Sequence, residues 1–298
     1  MPLFANDRSD SPPKMIIQQS MWSLKQYGDH NREWSLEKKF EQIAAAGFHG
    51  IFGSLPSKEE RGLWARLMDE YHFSFGLESF PATGEELRQL LEQASDYDVL
   101  YVNAQVADAF TTGAAAVTRL EELLEVADRY NMPFFVETHR GRITQDLQRT
   151  VEYVRQISDL RLTIDLSHYV LAGEMYEFDT ADPYFQELLQ RTGSIHGRVS
   201  NGQQIQIDMG KNADHPMVGP FTGWWKRGMH EWLAKAGKGD VLPFVCEIGH
   251  HYSVTPRFVP GYSWEEISDR WEQTLILKQL VEQVWMDVDN HAKRGNPK

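Results

Sequence analysis

The chain alternates two kinds of stretch. Short runs are apolar almost throughout, and each is followed by a longer segment whose apolar residues recur every three or four positions. A short, wholly apolar run fits a strand buried on both faces, and the longer spacing fits a helix with one buried face. Met15–Ile16–Ile17–Gln18–Gln19–Ser20 predicts a first strand, with Trp22 just past its end. Ser35 reads as the N-cap of a helix through Lys38, Phe40, Ile43 and Ala46, stopped by Gly47. His49 to Gly53 predicts the second strand, and Ser57 opens a helix through Leu63, Leu67 and Tyr71. Phe73 to Leu77 predicts the third strand, ending at Glu78. Thr83 with Glu86 has the spacing of a capping box before the helix through Leu87, Leu90 and Leu91. Val99 to Val102 predicts the fourth strand, ending at Asn103, and Ala114 to Tyr130 the next helix.

The second half repeats the pattern and adds polar residues at each strand end. Pro133 introduces Phe134–Phe135–Val136, which stops at Glu137, Thr138, His139 and Arg140. A helix over 144–157 follows. Leu162–Thr163–Ile164 stops at Asp165, with His168 three residues on. After a helix from Pro183 to Gln190, Ser194–Ile195 leads into His196 and Arg198. Residues 201–223 read as a long loop, rich in Gly and Pro and holding Asp208, Lys211, Asp214 and His215. Trp224 to Ala236 predicts a helix. Pro243–Phe244–Val245–Cys246 ends in Glu247, with His250 and His251 beyond, and Trp264 to Asp289 predicts a long closing helix.

Eight strand–helix alternations at this length predict an α/β fold, a single-domain (β/α)8 TIM barrel over residues 15–298. An open doubly wound sheet is the alternative, but no Gly-rich dinucleotide turn follows the first strand. Residues 1–14, with Asn, Asp, Arg, Ser and Pro, read as a disordered leader rather than a signal peptide.

Composition narrows the function classes. The formal charge of −13 argues against broad binding to phosphate backbones, so no nucleic-acid partner is expected. No apolar run approaches the roughly 18 residues that span a bilayer, so no membrane partner is expected. The single cysteine, Cys246, cannot form an intramolecular disulfide, and a cytoplasmic location is expected.

In a parallel barrel the C-terminal strand ends share one rim, where ligands bind. Each strand-end carboxylate could also simply cap the next helix. Taken in order, however, Glu137 after the fifth strand, Asp165-x-x-His168 after the sixth, His196 in the seventh and Glu247 after the eighth resemble the xylose-isomerase-like barrel superfamily. That superfamily includes sugar isomerases and epimerases, dehydratases and family 2 AP endonucleases, and the likeness in strand order covers about residues 15–289. The resemblance implies that Glu137, Asp165, His196 and Glu247 bind one divalent metal. Three carboxylates and one imidazole form a hard site that suits Mn²⁺ first, with Mg²⁺, Co²⁺ or Zn²⁺ as alternatives. Cys246 is turned away from it by strand alternation. The resemblance further implies that Glu137 and Glu247 are catalytic and pass a proton to and from a carbohydrate-type substrate through an enediolate. It places His168 on a substrate oxygen and allows a homo-oligomer.

This chain also departs from the family. Arg198 stands where many members have a lysine, and a fixed cation there would stabilise an oxyanion or hold an acidic substrate group. His139, Arg140 and Arg142 replace a further glutamate, so they hold either an acidic substrate group or an internal salt-bridge network. Trp22 either stacks on a sugar face or packs at the rim. Strands three and four end in Glu78 and Asn103, not in the histidines of a zinc nuclease. The leading expectation is therefore a metal-dependent isomerase or epimerase of a sugar, sugar acid or keto-polyol. A lyase or dehydratase on the same scaffold is the alternative. An abasic-site endonuclease and a non-catalytic carbohydrate-binding barrel stand behind it.

Overall fold

The computed structural model describes residues 2–29, 32–249, 266 and 268–295. Eight parallel strands make the barrel. They are β1 (Lys14–Ser20), β2 (Gly50–Gly53), β3 (Ser74–Ser79) and β4 (Val99–Ala104), then β5 (Phe134–Glu137), β6 (Leu162–Ile164), β7 (Thr192–Gly197) and β8 (Asp240–Cys246). Neighbours in sequence are neighbours in the sheet, and the barrel closes where Val241–Cys246 of β8 pairs with Lys14–Gln19 of β1. The fold is a single-domain (β/α)8 TIM barrel.

The helices form where the apolar spacing predicted them: α1 (Leu36–Ala45), α2 (Arg61–Tyr71), α3 (Gly84–Ala94), α4 (Gly113–Arg129), α5 (Leu147–Gln156), α6 (Asp182–Leu189), α7 (Val218–Leu233) and α8 (Arg270–Gly295). A short extra helix, Ser167–Ala172, follows β6. Local signals set several starts. The Ser35 hydroxyl accepts from the Lys38 amide at 3.3 Å. Thr83 accepts from the Glu86 amide at 3.2 Å, while the Glu86 carboxylate reaches back to the Ala82 amide at 2.7 Å. Helix α7 starts earlier than its composition suggests. Pro220 lies in its first turn, where no backbone N–H is needed, so it does not block the helix. The preceding loop buries Ile205, Ile207 and Met209, and the Met209 amide donates to Gln273 of α8 at 2.8 Å.

Strand alternation builds the barrel interior in two storeys. Phe52, Tyr101, Phe135 and Val245 point inward and form an apolar cluster with Ile16 and Ala5. The Tyr101 ring stacks on Phe52 at 6.5 Å and lies 5.5 Å from Phe135. Two residues further along four strands, the same inward direction belongs to Glu78, Asn103, Glu137 and Glu247. The polar site is therefore held on an aromatic floor. Gly76, opposite Tyr101, makes room for that floor, because a β-carbon there would fall 2.5 Å from the ring. Gly76→Ala should cost about 1–3 kcal/mol through overpacking. Gly62→Ala in α2, with open space around the position, should instead gain up to about 1 kcal/mol. Urea denaturation midpoints of the two variants should move in opposite directions.

The expectation of a disordered leader needs correction. Ala5–Asn6 forms a short strand antiparallel to β8, in register with Val241 and Asp240. Phe4 packs its ring 5.6 Å from Trp232, and Asp7 pairs with Lys14 at 2.7 Å. The polar composition of the segment conceals Leu3–Phe4–Ala5. Two of these three, Phe4 and Ala5, are buried beneath the barrel. His250, His251 and Trp264 lie outside the described residues.

Candidate functional site

Each side chain of the rim arrives on the C-terminal end of a strand. Glu137 ends β5, Asp165 follows β6, His196 lies on β7, and Glu247 follows β8. All four are buried. Thr138 ties two of these strand ends together: its hydroxyl accepts from the Asp165 amide at 2.8 Å and donates to the Asp165 carbonyl at 2.9 Å.

Three of the four converge. Glu137, His196 and Glu247 each bring a donor atom within 4.8 Å of the others. His196 Nδ1 lies 3.1 Å from Glu247 Oε2 and 3.7 Å from Glu137 Oε1. Neither approach has hydrogen-bond direction, and both imidazole nitrogens and Glu137 Oε1 are buried without a hydrogen-bond partner. Buried polar atoms left in this way are costly unless something binds them. Two carboxylates and an imidazole with ligand atoms within 4.8 Å of one another suit a divalent ion, which would displace the imidazole proton, so these residues fit the metal that the resemblance implies. Glu137 is oriented by Asn103, whose amide donates to Oε2 at 2.7 Å. Burial disfavours a charged His196, yet the two carboxylates overcome it and push the imidazole up to about 10. Burial likewise opposes the Glu137 charge, and His196 overrides it, bringing that carboxyl down to about 2.

Asp165 is arranged differently from the sequence expectation. It is not among the three converging donors. Its Oδ2 accepts from Arg198 Nη2 at 2.5 Å, and its Oδ1 accepts from the Ser167 hydroxyl at 2.5 Å and the Ser167 amide at 3.0 Å. Arg198 Nη2 also lies 3.4 Å from Glu247 Oε2. His168 completes this cluster, with Nε2 3.3 Å from Asp165 Oδ2 and Nδ1 2.9 Å from Arg140 Nη1. His168 Nε2 also lies 3.0 Å from Arg198 Nη2, so the imidazole sits between two guanidinium groups and the Asp165 carboxylate. The His139 ring lies 3.9 Å from His168, and its Nδ1 meets the Arg140 carbonyl at 2.5 Å. Burial, and then the unfavourable pairing with a second imidazole at His168, depresses His139 to about 4, so it is neutral at pH 7. Arg142 belongs to the rim framework. It donates to Gln105 and to the Ala107 carbonyl and lies over the Phe80 ring. Trp22 packs its indole against Gly249, so closely that a β-carbon there would fall 1.8 Å from the ring.

Glu78 is the site residue that the sequence reading passed over. Its carboxylate accepts from Ser54 at 3.3 Å. Burial, reinforced by the charges of Glu247 and Glu137, pushes it up to about 7. The folded chain thus holds a proton that the unfolded chain releases near 4.5, and stability falls as pH rises from about 4.5 to about 7. In metal-free protein, Glu78→Gln should therefore stabilise above pH 7, by on the order of 2 kcal/mol after allowance for water contact, and do little below pH 4.5. Thermal melts of both proteins across pH 4–9 check this.

Residues 40–218 match the sequence profile of the family described as xylose isomerase-like TIM barrel. The chain belongs to the xylose isomerase-like TIM barrel family. No curated protein matches it. Among solved structures, it is similar to a xylose isomerase-like TIM barrel protein from Mycobacterium smegmatis in complex with magnesium. The identity is 10% and the TM-score 0.60, over 92% of this chain and 97% of that one. It is also similar to the probable 3-DHS dehydratase AsbF of Bacillus anthracis, at 14% identity and TM-score 0.56, over 90% and 99% of the two chains. The AP endonuclease, family 2, of Brucella melitensis follows at 15% identity and TM-score 0.50, over 78% and 92%. At these identities the likeness speaks for the fold. Among the described residues, no helix is long and apolar enough to cross a membrane.

Proposed function

We propose that this family member is a metal-dependent isomerase or epimerase of a small carbohydrate-type substrate, a sugar, sugar acid or keto-polyol. The observation that carries the reading is the convergence of Glu137, His196 and Glu247, with Glu137 Oε1 and both His196 nitrogens lacking partners. These three residues would hold the ion, with Mn²⁺ or Mg²⁺ favoured by the oxygen-rich donors. When bound, the ion polarises a substrate carbonyl and acidifies the neighbouring C–H. The chain's own part is proton handling. Glu137 and Glu247 bring two carboxylates to one imidazole from separate strands, so one can take the proton and the other can return it to a second carbon or face. Arg198 places a fixed cation beside Glu247, where negative charge on the substrate oxygen would develop. The closed aromatic floor below keeps bulk water from that side.

A lyase is the second reading, and Glu78 favours it. Burial at the end of β3 favours the protonated form of its carboxyl, and a protonated carboxyl at this rim can donate to a departing hydroxyl. The acidic chain and the Glu78 and Asn103 side chains at the third and fourth strand ends favour a small molecule over DNA. The buried lone thiol of Cys246 goes with a cytoplasmic setting.

The test is Mn²⁺-loaded protein with a panel of keto-sugars and keto-acids in D₂O, followed by NMR and mass spectrometry. An isomerase exchanges the C–H beside the carbonyl and conserves substrate mass. A dehydratase loses water. Absence of exchange across the panel, with metal bound, would support a non-catalytic binding barrel, and nicking of abasic DNA would move the reading to a nuclease.

A further inference from the structure

The geometry points to a site in which the protein supplies three ligands to the ion, while Asp165 serves as the positioning residue of Arg198. The inference rests on the metal-dependent reading above and departs from the four-ligand set that the family resemblance implied.

Lone pairs decide the matter. A carboxylate has about four acceptor positions. On Asp165 three hydrogen bonds are made, to Oδ1 from the Ser167 amide and hydroxyl and to Oδ2 from Arg198 Nη2, and His168 Nε2 stands 3.3 Å from Oδ2. The Asp165 backbone is fixed as well, through Thr138. Glu137 Oε1 and both His196 nitrogens, by contrast, have no hydrogen-bond partner. To ligate an ion beside Glu247, Asp165 would have to give up a fully buried guanidinium. Breaking one side of such a pair is among the costliest changes a fold can suffer.

The consequence concerns the substrate. With three protein ligands, a bound ion would have positions left for substrate oxygens. Two suffice for adjacent carbonyl and hydroxyl oxygens. Arg198, anchored by Asp165 and 3.4 Å from Glu247 Oε2, would meet a substrate oxygen that becomes anionic.

Titration calorimetry with Mn²⁺ alone tests the assignment on wild type, Asp165→Asn and Glu247→Gln. Wild type and Asp165→Asn should each bind one Mn²⁺, with affinities within about tenfold, the span of an outer-shell change. Glu247→Gln should weaken binding by more than about a hundredfold. Proton exchange in Asp165→Asn should nonetheless fall about tenfold or more, because Arg198 loses its anchor. If Asp165→Asn loses Mn²⁺ as far as Glu247→Gln does, Asp165 is a ligand and the inference is overturned. If wild type itself takes up no Mn²⁺, the metal-dependent reading fails, and this inference with it. Should Asp165→Asn not fold, by near-ultraviolet circular dichroism, the double variant Asp165→Leu/Arg198→Met decides. Retained Mn²⁺ supports the three-ligand site, and lost Mn²⁺ overturns it.

Discussion

Glu137→Gln is expected to abolish metal loading while leaving the fold intact. The amide of Asn103 fixes the outcome. It donates to Glu137 Oε2 at 2.7 Å, so a glutamine will present its carbonyl oxygen there. Its NH₂ group must then occupy the position of Oε1, facing His196. An amide nitrogen has no lone pair to give, and its hydrogens point at the place where the ion would bind. Mn²⁺ content by mass spectrometry should fall from one equivalent to a trace. Solvent exchange of a responsive substrate should slow by on the order of a thousandfold, about 4 kcal/mol of barrier. The Asn103 hydrogen bond is kept, but the buried charge pairing of Glu137 with His196 is lost, so the melting temperature at neutral pH should fall while the protein still folds. A variant that still binds Mn²⁺ with wild-type affinity would remove Glu137 from the site.

The second large effect is on stability. Arg198→Met leaves the Asp165 carboxylate fully buried, with only Ser167 and His168 beside it. Removing one partner of a buried ion pair costs about 3–5 kcal/mol. The loss should depend on pH in a definite direction. Arg198 holds the Asp165 carboxyl well below its usual range, against the opposing effect of burial. Without the arginine, burial dominates and the folded-state carboxyl rises above its unfolded value. Protonation then relieves the defect, so the penalty should be greatest near neutral pH and shrink as pH falls through the acid range. Adding Asp165→Leu should restore much of the loss, since a well-packed apolar pair can replace an ion pair at little cost. Urea titrations of the single and double variants at two pH values measure all three effects.

How much of this was legible in the sequence varied with the kind of information. Strand ends were readable, because a buried parallel strand is apolar throughout and its first polar residue marks the rim. Glu137 and Glu247 are found in that way, and His196 follows from its neighbours. Glu78 carried the same signal. Gly76 and Glu78 stand in the same two-residue relation as Phe135 and Glu137, but a glycine in place of the inward aromatic hides the alternation. Asp165 was placed correctly at the rim, yet its partner was not readable. Arg198 lies on another strand, and nothing in a linear sequence tells a ligand carboxylate from one that already holds a guanidinium. The leader failed for a related reason. Three apolar residues among polar ones give no periodicity, and only the barrel floor explains them.

The strand at Ala5–Asn6 gives the fold a particular order of assembly. The last barrel strand, Asp240–Cys246, pairs on one side with β1 and also receives Ala5–Asn6, so it gathers both ends of the first twenty residues. While the chain emerges from the ribosome, β1 can pair with β2 early, but its other edge and the segment before it cannot find their partner until residue 246 is out. The early strands must wait with one edge open through most of synthesis, and such edges invite wrong pairing. A nascent chain halted before β8 should therefore be a good client for a chaperone, and release of residues 240–246 should be the step that frees it.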